Sequence, residues 1–128
     1  MQLIVVIDDD AELRKALERL LSAADYRVES YSSVEEFLRS GATTKVGCLL
    51  LDIELSGMSG LQLVSQLCAE GLAFHVLFMT GSDDKTVEAH IRKLGYRIVH
   101  KPIAANELLK AIEEVCSTDV RSTQSVFD

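Results

Sequence analysis

The chain has no apolar run long enough to cross a bilayer. Its longest uninterrupted runs hold four or five residues, against the roughly 20 that a membrane-spanning helix needs. Asp8, Asp9 and Asp10 cut the N-terminal apolar stretch short, so it does not read as a signal peptide, and a cytoplasmic protein with no membrane contact is expected. Positive charge is also in short supply. Lys and Arg number 13 against 20 Asp and Glu, a formal net charge of -7. That balance argues against direct nucleic-acid binding by this segment, because phosphate binding needs a basic surface. Cysteine is sparse, with Cys48, Cys68 and Cys116 odd in number and at spacings that match no zinc pattern. They are expected to be small buried hydrophobes, with free thiols in a reducing compartment. No internal repeat or low-complexity stretch occurs.

The 128 residues suffice for one domain with a real core, and 48% of them are apolar, which excludes a disordered chain. Four apolar runs stand out. Leu3-Ile4-Val5-Val6-Ile7 runs into Asp8-Asp9, and Cys48-Leu49-Leu50-Leu51 into Asp52. Val76-Leu77-Phe78-Met79 runs into Thr80, and Ile98-Val99 through His100 into Lys101-Pro102. Continuous runs of this length fit strands covered on both faces, as in a parallel sheet. Tyr26 to Tyr31 alternates Arg27 and Glu29 with Val28, the pattern of a half-exposed edge strand.

Helical patterns fill the intervals. Leu13, Ala16, Leu17, Leu20, Leu21 and Ala24 recur at helical spacing after Asp10. Ser33-x-x-Glu36 forms a capping box for a short helix with Val34, Phe37 and Leu38. Ser59-x-x-Gln62 opens a third helix with Leu61, Val64, Leu67 and Cys68 on one face and Gly71 as its stop. Val87, Ile91 and Leu94 fit a fourth, ended by Gly95; Leu108, Leu109, Ile112 and Val115 fit a fifth. Strand followed by helix, five times, predicts an α/β domain: a doubly wound, flavodoxin-like (βα)5 parallel sheet in three layers, strand order 2-1-3-4-5. The domain is expected over residues 1–116, with 117–128 a polar tail or the start of a linker.

In an open α/β sheet, ligands bind beyond the carboxyl ends of the strands. Asp9 and Asp52 then project from adjacent strands, the first and the third. Two unit charges 4 Å apart repel by roughly 4 kcal/mol at an effective dielectric near 20. Such a pair holds a proton or binds a cation, and all-oxygen ligation with room for water suits magnesium. A carboxylate attacks phosphorus to give an acyl phosphate, whose equatorial oxygens need partners. Magnesium, Thr80, Lys101 and amides near Gly81 supply them. Each residue alone has a plainer use. Asp8-Asp9-Asp10 can cap the first helix, and Asp10 is expected to do so. Thr80-Gly81 alone is a turn and Lys101-Pro102 alone a loop. Asp52 is the hardest to explain away, since an unpaired carboxylate after a buried strand is costly. His75, His90 and His100 are expected at the surface or at strand ends.

Over residues 2–116 this constellation resembles the receiver domain of bacterial two-component response regulators. The carrying motifs are Val6-Ile7-Asp8-Asp9-Asp10, Leu51-Asp52-Ile53-Glu54-Leu55-Ser56-Gly57-Met58-Ser59-Gly60, Met79-Thr80-Gly81 and Lys101-Pro102. Their wording is most similar to receivers of the nitrogen-fixation and nitrate-response type. The resemblance implies that Asp52 accepts phosphate from a phosphohistidine on a sensor histidine kinase. It implies magnesium, or manganese, held by Asp8, Asp9, Asp52 and the backbone carbonyl of Glu54. Thr80 then binds the phosphoryl group and moves with it, Lys101 pairs with phosphate, and the peptide bond before Pro102 is cis. Glu54 and Ser82 occupy the positions that tune dephosphorylation. The implied output is a phosphorylation-dependent surface on the fourth helix, fifth strand and fifth helix, serving an output domain or a dimer and controlling transcription. Two departures stand against the pattern: Ser56 replaces the usual proline, and Ile98 replaces the usual aromatic switch, with Tyr96 nearby but not equivalent.

Two other classes compete. Asp8-x-Asp10 superficially fits a haloacid-dehalogenase-type phosphatase, with Asp8 as nucleophile, although Glu12 stands where Thr or Val is expected and a cap is lacking. Ile98 favours a pseudo-receiver that binds partners without phosphate. Flavin binding is disfavoured by the acidic first loop, which repels the flavin phosphate.

Overall fold

The apolar runs are continuous because both faces of the sheet they build are covered. The computed structural model describes residues 3–42, 46–55, 59–71, 74–81 and 85–117. The chain order is β1 (Leu3–Ile7), α1 (Ala11–Ala23), β2 (Arg27–Tyr31), α2 (Val34–Ser40), β3 (Val46–Asp52), α3 (Gly60–Ala69), β4 (His75–Thr80), α4 (Lys85–Lys93), β5 (Arg97–His100) and α5 (Ala105–Cys116). All strand pairs are parallel and the order across the sheet is β2-β1-β3-β4-β5, as expected.

The period-two alternation of side chains sorts each strand into two core layers. Leu3, Val5, Ile7, Leu49, Leu51, Val76, Phe78 and Ile98 face Val34, Phe37, Leu63, Val64, Leu67 and Ile91 of α2, α3 and α4. Ile4, Val6, Cys48, Leu50, Leu77, Met79 and Val99 face Leu17, Leu21, Leu108, Ala111 and Ile112 of α1 and α5. Each fully buried Leu or Ile contributes about 1.5–3 kcal/mol through area removed from water. β2, at the edge, is half-exposed along its length, which is why it alone carries alternating charge.

The helix starts follow their caps. Asp10 accepts hydrogen bonds from the N–H groups of Glu12 and Leu13 at 3.0 and 3.2 Å. Ser59 and Gln62 form the full reciprocal box. Gly71 and Gly95 take positive φ where the sequence predicts stops.

One expectation needs correction, and two buried positions stand beside it. Ser33 does cap Glu36, but the Glu36 carboxylate reaches back one residue further and accepts from the Ser32 N–H at 3.1 Å. His75 opens β4, a strand end as expected, and is buried there, 5% exposed. Val87 is 37% exposed and Glu88, at 6%, takes the inner position beside Ile91. The helix is rotated because Glu88 has a partner inside: its carboxylate bonds the Nε2 of His100 on β5. Ser56, Ser82 and the tail from 118 lie outside the described residues.

Candidate functional site

β1, β3 and β5 deliver their polar ends to one edge. The Cα register pairs Ile7 with Leu51 and Asp52 with Met79, so Asp8 and Asp52 leave the sheet side by side, with Thr80 one residue further along β4. Asp8 is fully buried and Asp52 nearly so, while Asp9 is exposed. One carboxylate oxygen from each of Asp8, Asp9 and Asp52 fits within 4.8 Å of the other two.

Each buried carboxylate is held from behind. The Asp10 N–H donates to Asp8 Oδ1 at 2.9 Å, and the Arg14 guanidinium donates to the Asp8 carbonyl at 2.7 Å. The Glu54 N–H donates to Asp52 Oδ1 at 2.9 Å. Their other oxygens turn to Lys101, whose Nζ lies 2.8 Å from Asp8 Oδ2 and 3.0 Å from Asp52 Oδ2. Burial alone would pull the Lys101 ammonium down. Its close contacts with the Asp8 and Asp52 carboxylates, with their charge, outweigh that and hold it above its ordinary 10.5. The Lys101 N–H also donates to the Thr80 carbonyl at 2.8 Å, and the Lys101–Pro102 bond is cis. Thr80 is buried at the end of β4.

The residues suit a divalent cation. Three carboxylates against one ammonium leave a formal charge of two minus at the edge. Asp8 Oδ2 is buried with no well-directed hydrogen bond, meeting only the lysine ammonium. A hard cation with oxygen ligands relieves both features.

The structure thus brings together Asp8, Asp9, Asp52 and Lys101, with Thr80 and Glu54 on the adjoining strand and loop. Ile98 is not at the edge. It lies two residues back, paired in register with Phe78 in the core. Tyr96 is also buried, its ring edge-on to Phe78 with centroids 5.6 Å apart. Burial pushes its phenol up, with the Cys68 thiol beside it. Asp10 is exposed and caps α1, as expected.

Sequence reasoning missed what four residues do. Arg14 braces the Asp8 carbonyl, and its only signal was a cation one turn into α1. Gly60 starts α3 against the end of β3, where an added Cβ would meet the Asp52 carbonyl at 3.1 Å. Its place in the loop motif pointed to it without saying why. Glu88 and His100 gave no local signal, because they meet only when α4 packs on β5.

Residues 4–113 match the family model for the response regulator receiver domain. The transcriptional regulatory protein FixJ of Bradyrhizobium diazoefficiens is 32% identical over 111 residues, covering 86% of this chain and 54% of that protein. A crystal structure of full-length FixJ from B. japonicum aligns with TM-score 0.81 and 31% identity, over 91% of this chain and 58% of that one. A receiver domain protein from Clostridium thermocellum aligns with TM-score 0.82 and 23% identity, over 91% of this chain and 95% of that one, and speaks to the fold. The chain spans about half the length of the curated relatives it matches.

Proposed function

The chain belongs to the response regulator receiver family, and from that premise we propose that Asp52 accepts a phosphoryl group from the phosphohistidine of a sensor histidine kinase. The supporting observation is the meeting of Asp8, Asp9, Asp52 and Lys101 at one sheet edge. An Asp52 oxygen attacks phosphorus. The phosphorus–nitrogen bond breaks, and the imidazole nitrogen keeps the electron pair. The product is an acyl phosphate on Asp52.

The chain's own residues prepare this step. The Glu54 N–H and the Lys101 ammonium fix the Asp52 carboxylate from two sides, so little orientation is left to lose when it attacks. Lys101 is held protonated and offers positive charge to the incoming phosphoryl oxygens. Thr80 supplies a hydroxyl from the next strand. Asp8, Asp9, Asp52 and the Glu54 carbonyl hold magnesium or manganese, which when bound neutralises the carboxylates and the approaching phosphate. Glu54 and Ser82 set the lifetime of the phosphorylated form.

In this reading residues 1–116 make up the switching unit, with 117–128 a polar tail or the start of a linker. The output is the surface of α4, β5 and α5, offered to an output domain or a second receiver to control transcription. No turnover of an external substrate is part of this role. A cytoplasmic setting accords with it; no helix among the described residues is long and apolar enough to cross a membrane.

Incubation with acetyl phosphate and magnesium, followed by intact mass measurement, tests the proposal. One phosphoryl group is expected on the wild type and none on Asp52→Asn. Equal uptake by the variant, or multiple turnover of p-nitrophenyl phosphate by it, would overturn the assignment.

A further inference from the structure

Two sulfurs that play no part at the sheet edge lie against each other elsewhere. Cys48 sits in β3, on the strand that ends in Asp52, with no exposed surface. Cys116 is the last residue of α5, half-buried, and packs into the same core layer together with Tyr26. α5 packs on β3, so the two residues share one layer; the thiols influence each other there, and both are free. Cys68 packs in the opposite layer, across the sheet.

We propose that Cys48 and Cys116 form a redox modification site, in which hydrogen peroxide oxidises Cys116 and Cys48 closes a disulfide that ties the last turn of α5 to β3. Cys116 thiolate attacks one peroxide oxygen and the O–O bond breaks. The departing hydroxide takes up the thiol's proton and leaves as water, and Cys116 becomes a sulfenic acid. The Cys48 sulfur then attacks the Cys116 sulfur. The S–O bond breaks, and hydroxide leaves as a second water with the Cys48 proton. Two thiols give up two electrons and two hydrogens, and one peroxide becomes two waters.

The environments divide the roles. Cys116 reaches solvent and Cys48 does not, so oxidant meets Cys116 first. The influence of Cys48 outweighs burial and holds the Cys116 thiol below its ordinary 9.0, which favours the nucleophilic thiolate. The same contact, with burial, holds Cys48 well above that value, so it stays a thiol until a neighbouring sulfenic acid appears. Disulfides in reducing compartments are characteristically transient and redox-sensing. The end of α5 is held by Val115 and Cys116 packing on the core and by the Arg97–Glu114 ion pair from β5 at the surface. A cross-link would add a covalent tether into the sheet.

The test treats the full 128-residue chain with hydrogen peroxide under native conditions, blocks remaining thiols, and maps the peptides by mass. The expected product has lost two hydrogens, carries one linked pair joining residues 48 and 116, and reverts with dithiothreitol. Cys68→Ala should keep the link and Cys116→Ser should lose it while Cys48 stays reduced. Amide exchange at Val115 and Cys116 should slow in the oxidised form. The proposal fails if Cys116 proceeds to sulfinic acid with Cys48 still reduced. It fails equally if Cys116 does not react, if the link forms only in denaturant, or if it joins other cysteines or other chains.

Discussion

Among the described residues carboxylates are buried at two places, and they are compensated differently. At the sheet edge, Asp8 and Asp52 share one lysine and sit beside the exposed Asp9, so negative charge is left over. On the flank, Glu88 of α4 is met by His100 of β5, with Lys85 3.5 Å away at the helix start, so its charge is answered in full when His100 is protonated. A site that keeps surplus charge is ready to take a cation or to react; a site that balances its charge is ready to hold two elements together. The first pattern marks chemistry and the second marks a joint, and the joint lies on the surface proposed as the output.

Replacing Lys101 should break the comparison hardest. Lys101→Met leaves two buried carboxylates without a counter-charge, and loss of one partner from a buried pair costs about 3–5 kcal/mol. Urea unfolding in the presence of a chelator should show that loss, and magnesium should recover part of it. An unchanged midpoint would mean that the lysine compensates nothing. Gly60→Ala comes next, at about 1–3 kcal/mol, the usual cost of overpacking, because its Cβ would press on the Asp52 carbonyl. Unfolding midpoints should register it, and phosphoryl uptake should fall in parallel as the loop after β3 shifts.

The flank responds to pH instead. The hydrogen bond with His100, helped by the charges of His100 and Lys85, outweighs burial and holds the Glu88 carboxyl below its ordinary 4.5. A depressed carboxylate contributes stability that is whole above its unfolded value and is lost as pH falls through the folded one. Stability measured by urea should therefore decline below pH 4.5, and Glu88→Gln should lack that part of the decline. Parallel curves for the two proteins would dissolve the distinction between joint and chemistry. The smallest effect belongs to Val87→Ser, within about 0.5 kcal/mol, as fits an exposed position. A larger loss by thermal unfolding would mean that Val87 is packed rather than exposed.

The edge was legible in the sequence and the flank was not, for a physical reason. Asp8, Asp52, Thr80 and Lys101 each follow an apolar run, and in a parallel sheet the end of a run is a place in space. Register along the chain therefore became position at the site. Helix α4 has no such ruler. Val87, Ile91 and Leu94 gave an acceptable apolar face, and only the imidazole arriving with β5 makes Glu88 the better inner residue. Tyr96 and the Cys48–Cys116 contact were hidden likewise, since each depends on a partner from a distant segment. Ile98 stands where the resemblance implies an aromatic switch, and it is buried in the core in register with Phe78.

Lys101 hangs from the end of β5, yet it reaches over β4 to touch β3 and β1. The reactive edge is thus assembled from the first, middle and last strands to be synthesised. A nascent chain that has made β1 through β4 carries the acidic residues without their counter-charge. It can acquire the finished arrangement only when the C-terminal strand docks. Competence to receive phosphate therefore arrives with completion of the sheet, and a partly folded chain is silent by construction.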